Sequence, residues 1–315
     1  PARESWAQMN DHIVHLHGHF ARLVTGDRGI YNPTFKNVRR ETPKISPERV
    51  ILPGKTKEEL LALAGSFASG SCKRDIPAIE DFFGYGTGMT FLFYGPSGTG
   101  KTMMAHAIAH SVDRDLFTVN MTSANDEWMD IEDIIRYAFR EARLSNGVVF
   151  FDECDDLFHE GSTLSRTLLI ELEKANVITI LATNKPGSLD PALERRLTRI
   201  EDFPFPDVRQ RISLWQALIP PNVAIEEGVD FGSLAREYAL AGGHIKNAIL
   251  TAIHDSRNRT GVEGNAIVLS ADSLRQAAAR QIQQSLEDET PGDSYPPVWR
   301  ADDSPLRPRS RKVLS

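Results

Sequence analysis

Short apolar runs of strand length alternate with segments of helical periodicity along the middle of the chain. The runs are rich in aromatic and β-branched residues, which favour strands. In the other segments, apolar residues recur every three or four positions, as on one face of a helix. The predicted strands are 91–94, 116–120, 147–151 and 177–182, and the predicted helices include 56–67, 103–109, 131–143, 162–174 and 272–286. Thr56 is placed to cap the first of these helices in a capping box, and Ser270 to cap the last.

Residues 1–47 are predicted to contain an N-terminal helix followed by a linker. Apolar positions between residues 4 and 24 have helical spacing, and 26–47 is polar and rich in turn-forming residues. Three histidines share one face of this helix, which leaves a metal site open as an alternative. Asp11 is the only carboxylate close enough to join them, so packing of a partly exposed helix on a neighbour is preferred. The histidines are His12, His15 and His19.

A glycine-rich loop follows the first predicted strand and precedes a helix. It fits the pattern G-x-x-x-x-G-K-[ST], whose backbone N–H groups wrap a phosphate at the positive end of the helix dipole. Lys101 is expected to reach the β- and γ-phosphates, and the Thr102 hydroxyl to hold a magnesium ion. The loop therefore predicts binding of ATP with Mg²⁺. The predicted nucleotide-binding residues are Gly95, Pro96, Ser97, Gly98, Thr99, Gly100, Lys101 and Thr102.

Two carboxylates, Asp152 and Glu153, end the predicted strand 147–151. Carboxylates at the tip of a buried strand are costly to desolvate unless a cation accompanies them, and magnesium-bound ATP supplies that cation. Asp152 is expected to orient the metal ion through its water shell, and Glu153 to polarise the attacking water. The alternative, surface acids that cap a helix, suits Asp155 and Asp156 better.

Polar residues also follow the strand 177–182. The Asn184 side chain is expected to lie beside the γ-phosphate and help position the attacking water, although asparagine is also common in turns. Further along, Arg195 and Arg196 follow a helix-start signal at Asp190-Pro191.

The composition argues against several classes of protein: nucleic-acid-binding, membrane-spanning, secreted and disulfide-rich proteins. The chain has 315 residues, and its net charge of −7 argues against a broad nucleic-acid surface. No apolar run approaches the roughly 18 residues that a membrane span needs, and no secretion signal is visible. The two cysteines, Cys72 and Cys154, give no disulfide framework and fit a reducing cytoplasm. Cys154 is expected to pack as a small buried residue rather than to act as a redox switch.

This set of motifs resembles that of the AAA-type ATPases, and its order looks most like that of bacterial single-ring members. The resemblance covers about residues 48–287. It is carried by the phosphate loop, by Phe150–Glu153, by Ala182–Asn184 and by the segment from Leu189 to Asp207. It implies a ring, usually of six subunits, with ATP bound between neighbours.

The resemblance further implies an α/β fold of the P-loop NTPase class. An ATPase domain over residues 48–206 would contain a five-stranded parallel sheet, formed by the four strands above and a fifth at 199–203. A C-terminal helical lid would follow over 207–287. The composition of residues 288–315, rich in Pro, Asp, Ser and Arg, predicts a disordered tail.

The resemblance assigns a role to Arg195, which resembles the arginine finger that reaches the γ-phosphate of the adjacent subunit. The alternative for Arg195 is a surface salt bridge. The family's common Arg-Pro-Gly-Arg is replaced here by Arg-Arg-Leu-Thr, so the second arginine falls on Thr198. Arg196 and Arg199 are the nearby substitutes, and Arg196 is preferred as a second finger.

Asn184 is similar to the family's sensor asparagine. By the same resemblance, Gly242 and Gly243 would let the backbone of a lid helix approach adenine. Lys246 is an alternative phosphate sensor. Trp128 falls where the family places an aromatic residue that grips substrate polypeptide in the ring pore, although burial of this side chain in the core is the alternative.

Two functional hypotheses follow from the resemblance and the motifs. The first is a ring ATPase that couples hydrolysis to remodelling, unfolding or disassembly of a protein substrate. The second is a nucleotide-gated scaffold or binding protein, in which ATP mainly controls assembly. A nucleic-acid remodeller fits the net charge poorly, and no H-E-x-x-H zinc motif occurs.

Overall fold

The computed structural model describes residues 38–52, 54–70, 88–121, 131–155, 162–184, 190–260 and 267–287. Several of the predictions above lie outside these residues. They concern the helix 4–24 with its histidines, the first part of the linker 26–47, Cys72, the substrate residue Trp128, Asp156 and the tail 288–315.

A six-stranded sheet forms the centre of the first domain. Its strands are β1 (Val38–Glu41), β2 (Met89–Tyr94), β3 (Leu116–Asn120), β4 (Val148–Asp152), β5 (Ile178–Thr183) and β6 (Arg199–Asp202). Their order across the sheet is β1-β3-β4-β5-β2-β6. The five predicted strands all occur, within two residues at each end, and they pair in parallel. The predicted α/β class with a mostly parallel sheet is confirmed.

The sixth strand, β1, corrects the expectation that residues up to 47 form a linker. It pairs antiparallel with β3, with Val38 opposite Val119. Only Val38 of its four residues is a buried apolar residue, so no alternation marks the strand in the sequence. An ion pair fixes it instead, because Arg40 Nη2 lies 2.6 Å from Asp115 Oδ2.

Helices cover both faces of the sheet. One face packs against α1 (Thr56–Ala68) and α2 (Lys101–Ser111), and the other against α3 (Ile131–Ser145), α4 (Thr163–Lys174) and the short α5 (Pro191–Glu194). Burial on both faces explains why the central strands are almost wholly apolar.

The predicted capping box at Thr56 is wrong. The helix begins at Thr56 itself, and the preceding Lys55 makes no capping bond. The Thr56 hydroxyl donates to Glu201 Oε1 at 3.2 Å instead, so it ties the helix to the edge strand β6.

A second domain follows Pro206 and has its own core around the buried Trp215. It contains α6 (Val208–Leu218), α7 (Phe231–Glu237), α8 (Gly242–Thr260) and α9 (Ala271–Glu287). The segment predicted to be a helical lid thus has a core of its own, but it is not purely helical. Two short strands, β7 (Val223–Ile225) and β8 (Ile267–Leu269), pair in parallel within it.

Polar side chains cap the starts of α6, α7 and α9 in the lid. Ser270 Oγ accepts from the Ser273 N–H at 3.2 Å, which confirms the predicted cap of α9. Asp207 and Gln210 form a reciprocal capping box at the start of α6. Among the described residues, no helix is both long enough and apolar enough to cross a bilayer.

Candidate functional site

The predicted phosphate loop connects β2 to α2 at the carboxyl end of the sheet. Gly95, Gly98 and Gly100 have φ of +139°, +75° and +107°, a backbone region that favours glycine. A Cβ atom on Gly95 would lie 2.3 Å from the carbonyl oxygen of Phe203, so this position excludes a side chain for steric reasons as well. The loop conformation therefore requires glycine at Gly95 and favours it at Gly98 and Gly100.

Lys101 lies inside this loop and is only 6% exposed. Its Nζ donates to the carbonyl oxygens of Gly95 at 2.6 Å and Pro96 at 2.8 Å. Burial lowers the pKa of Lys101 from 10.5 to about 8, although Asp152 and its acidic neighbours partly oppose the shift. Within the described residues no carboxylate forms an ion pair with Lys101. A buried ammonium held only by carbonyls fits a site that receives an anion.

The Thr102 hydroxyl and the Asp152 carboxylate come together beside the loop. Thr102 Oγ1 donates to Asp152 Oδ2 at 3.0 Å. Oxygen ligands of this kind suit a hard cation such as Mg²⁺, which keeps several of its own waters in protein sites. The predicted metal-binding pair is therefore adjacent in the structure, and its chemistry fits the ion.

Glu153 follows Asp152 in a strained backbone conformation. Its φ of +53° is unusual for a residue that has a side chain, and its N–H donates to Asp152 Oδ1 at 3.1 Å. The carboxylate is exposed. The turn therefore directs Glu153 away from the sheet while Asp152 stays against Thr102.

The neighbouring strand β5 contributes a second group of polar contacts. Thr183 Oγ1 donates to the Asp155 carboxylate, and Asn184 follows as a half-buried residue at the end of the strand. Asp155 is thus half-buried and hydrogen-bonded, and not the surface acid that the sequence indicates. Nothing in the sequence indicates this contact, because it depends on how β4 and β5 pair.

Cys154 is completely buried next to the two carboxylates. Its N–H and Sγ both donate to the carbonyl oxygen of Ala182, at 3.0 and 3.1 Å. Burial raises the pKa of the Cys154 thiol well above its usual value. The predicted burial is confirmed, and a neutral thiol of this kind is unreactive.

The lid meets the phosphate loop through the glycine pair Gly242 and Gly243. The Gly243 N–H donates to the Gly98 carbonyl oxygen at 3.0 Å. A Cβ on Gly243 would lie 3.1 Å from Gly98 Cα. The contact observed for these glycines is with the loop itself, and Lys246 is exposed.

Arg195 lies far from its own phosphate loop. It is exposed at the end of α5 and lines an open cleft of about 570 Å³ near the amino end of β2. The other lining residues are Gly88, Thr90, Leu172, Glu173, Arg196, Leu197 and Thr198. The five residue-to-residue steps from Thr90 to Gly95 span about 16 Å along β2, so Arg195 and the loop occupy opposite ends of the sheet.

The two arginines considered as a second finger are both engaged within the chain. Arg196 Nη1 donates to the Ala192 carbonyl oxygen at 2.8 Å, and Arg196 Nη2 pairs with Glu173. Arg199 pairs with Glu201 at 2.9 Å and with Glu59 at 3.0 Å. Thr198 serves the sheet, since its N–H donates to the Thr90 carbonyl oxygen at 2.8 Å and its hydroxyl accepts from the Thr90 N–H at 3.0 Å.

Comparison with known proteins agrees with the geometry. Residues 91–205, from β2 to the end of the sheet domain, match the family described as "ATPase family associated with various cellular activities (AAA)". A Plasmodium falciparum (isolate 3D7) protein named as a cell division cycle ATPase is 31% identical over 187 residues. That match covers 54% of this chain but only 15% of the relative's length. The residues that match the family, 91–205, contain the phosphate loop, the Asp152–Glu153 turn and Arg195, and this segment is therefore similar to the AAA family of ATPases.

Proposed function

We propose that this chain hydrolyses ATP within an oligomeric ring, with six subunits as the expected number, and uses the hydrolysis to remodel, unfold or dismantle a protein substrate. The observation that carries the proposal is the separation of Arg195 from the phosphate loop by the length of β2. An exposed arginine at that distance has no access to its own nucleotide. It is suited to reach the nucleotide of a second copy, and family members commonly oligomerise.

The residues around the loop divide the chemistry among them. Lys101 and the loop N–H groups hold the β- and γ-phosphates, and Thr102 and Asp152 hold the magnesium ion. Bound Mg²⁺ supplies neutralisation of phosphate charge. Glu153 accepts the proton of the attacking water, and Asn184 orients that water.

Arg195 of a neighbouring subunit completes the site by neutralising charge that develops in the transition state. Arginine fingers of this kind are worth rate factors of about 10³–10⁵. Since a finger supplied by another subunit is present only in the assembled ring, hydrolysis becomes dependent on assembly.

Trp128 is proposed to grip the substrate polypeptide in the pore of the ring, although it lies outside the described residues. A large, rigid aromatic side chain can pack on any extended chain. A cytoplasmic location is proposed as well, in keeping with a sequence that has only two cysteines.

A Glu153→Gln variant tests the proposed function. It keeps the phosphate loop and should bind ATP, but it should hydrolyse ATP at least about a hundredfold more slowly because the general base is lost. Pull-down of this variant in the presence of ATP, with sizing of the recovered complex, should yield a ring with bound substrate protein.

Two results would contradict the proposal. Wild-type turnover in Glu153→Gln removes Glu153 from the mechanism. A wild-type protein that assembles with ATP but shows no turnover favours the nucleotide-gated scaffold instead.

A further inference from the structure

We propose that Arg196 and Glu173 form a brace that positions Arg195, and that Arg195 is the one arginine this segment presents to a neighbouring subunit. The inference deepens the proposed function and rests on it. It identifies Glu173, on the preceding helix, as a positioning residue for hydrolysis at a neighbouring nucleotide.

The short helix α5 is held on its amino side by three contacts. Asp190 Oδ1 caps it by accepting from the Ala192 N–H at 2.8 Å, and Ser165 Oγ donates to Asp190 Oδ2 at 3.4 Å. Leu193 is completely buried in the core against α4. A four-residue helix has little stability of its own, so these contacts determine where it lies.

The carboxyl side of the segment is held by the sheet. Thr198 makes two hydrogen bonds to the backbone of Thr90 in β2. Leu193 and Thr198 are thus both fixed, and only four residues connect them. Arg195 and Arg196 are the two cations in this connection.

The two arginines differ in their exposure and in their contacts. Arg196 is half-buried and binds both the Ala192 carbonyl oxygen and the Glu173 carboxylate. Arg195 is exposed, and within the described residues it has no ion pair. The Arg196 side chain therefore joins the turn of α5 to α4, while Arg195 is left to point into the cleft.

Such a brace matters for catalysis more than for stability. A partly exposed ion pair contributes little to folding stability, and the side chains of Arg196 and Glu173 are 30% and 42% exposed. A displacement of about 1 Å in a catalytic group can lower a rate by about a hundredfold. Loss of the brace should therefore reduce the rate of hydrolysis while leaving the fold intact.

Arg199 does not replace Arg196 in this role or as a finger. It is bound to Glu59 on α1 and Glu201 on β6, and hydrogen bonding to Glu201 raises its pKa. Neither α1 nor β6 holds α5 in place. Arg199 therefore stabilises the edge of the sheet and does not position Arg195.

The test compares steady-state ATPase kinetics of Glu173→Ala and Glu173→Gln with the wild-type protein, in parallel with titration of a fluorescent ADP analogue. We expect Glu173→Ala to lower kcat about tenfold or more, with unchanged nucleotide affinity, because each subunit's own phosphate loop is untouched. Glu173→Gln keeps a hydrogen-bond acceptor for Arg196 and should lose less. Asp255→Ala is the matched control, since it removes a similarly exposed carboxylate that pairs with Arg280 at 2.8 Å in the lid.

A double variant separates positioning from a general structural effect. If Glu173 acts through Arg195, Arg195→Ala/Glu173→Ala should be no slower than Arg195→Ala alone. A further loss in the double variant, or a loss of nucleotide affinity in Glu173→Ala, overturns the brace. Wild-type kcat in Glu173→Ala together with a slow Arg195→Ala also overturns it, while the finger in the proposed function stands. Wild-type kcat in Arg195→Ala instead removes the finger and with it the brace.

Discussion

At the scale of single residues, the charged carboxylate of Asp202 lowers the stability of the folded protein because it is partly buried. Its Oδ1 atom is buried and has no hydrogen-bond partner among the described residues. Burial raises the pKa of Asp202, and the nearby Glu201 raises it further. A raised carboxyl pKa means that the folded protein holds the proton more tightly than the unfolded chain does. The contribution of Asp202 to the free energy of unfolding therefore falls as the pH rises from 3.8 through the raised pKa of the folded state. At neutral pH this contribution is unfavourable.

We expect Asp202→Asn to raise the melting temperature at pH 7, since the amide has the same shape without the charge. The gain should shrink as the pH is lowered toward the ordinary aspartate pKa of 3.8. Thermal unfolding across that pH range is the measurement. Asp113→Asn, at an exposed position, should show no such pH-dependent gain, and equal gains in both variants would contradict the explanation.

Glu153 illustrates strain at a proposed catalytic residue. A residue with a Cβ at φ of +53° costs about 1–2 kcal/mol relative to an ordinary conformation. Glu153→Gly should therefore abolish hydrolysis yet raise the free energy of unfolding by about 1 kcal/mol. Denaturant unfolding measures this. Glu227→Gly, at an exposed turn position without positive φ, should be destabilising, and a matching loss in Glu153→Gly would remove the argument for strain.

The roles of single residues could be predicted from the sequence where a motif requires a particular backbone geometry. The phosphate-loop pattern specifies two glycines, Gly95 and Gly100, and one lysine. In the structure both glycines have positive φ, as does Gly98 between them, and Lys101 is buried. The contact between Thr183 and Asp155 could not be predicted in this way, since the two residues are 28 positions apart in the sequence.

At the scale of elements, α8 is the part of the lid that touches the nucleotide-binding loop. Gly243→Ala would place a methyl group 3.1 Å from Gly98 Cα, so α8 must shift away by a few tenths of an ångström. Alanine is also about 1 kcal/mol better than glycine within a helix. We therefore expect weaker nucleotide affinity without a loss of thermal stability, measured by nucleotide titration and by melting on the same preparation.

Gly65→Ala is the control for that prediction. Gly65 lies within α1, and a Cβ there would meet nothing within 4 Å. This variant should gain stability and keep wild-type affinity. If Gly243→Ala also binds nucleotide as the wild type does, the contact between α8 and the loop has no part in binding.

Elements were predictable in proportion to their length and their burial. The long apolar strands and amphipathic helices of the sheet domain leave a strong periodic signal. The strands β7 and β8 have three residues each, which is too short for any period to show. Threonine is a common helix cap, but the Thr56 hydroxyl donates to Glu201, a contact that only the tertiary structure brings about.

At the scale of the whole molecule, the proposed assembly predicts complementation between two inactive variants. Lys101→Ala cannot hold ATP but keeps Arg195, and Arg195→Ala keeps the phosphate loop but lacks the finger. Each alone should have little activity. Mixed in equal amounts, they should regain up to about a quarter of wild-type activity, the share of head-to-tail interfaces that pair an intact loop with an intact finger.

ATPase rate after mixing and re-assembly is the measurement. Co-purification of differently tagged variants shows that mixed rings have formed. Mixed rings that stay as inactive as the separate variants would exclude a finger supplied in trans. The sequence could identify both halves of such a site, but their separation by the length of β2 became clear only from the fold.

The direction of β1 has a mechanical consequence. Because β1 runs against β3, its first residue, Val38, lies opposite Val119 and just across β3 from Phe151, about 10 Å away at the usual strand spacing. The chain therefore enters the sheet, at Val38, at the edge of the sheet that carries Asp152. A pull on the chain at Val38 acts on this outer strand, and it is resisted first by the Arg40–Asp115 ion pair.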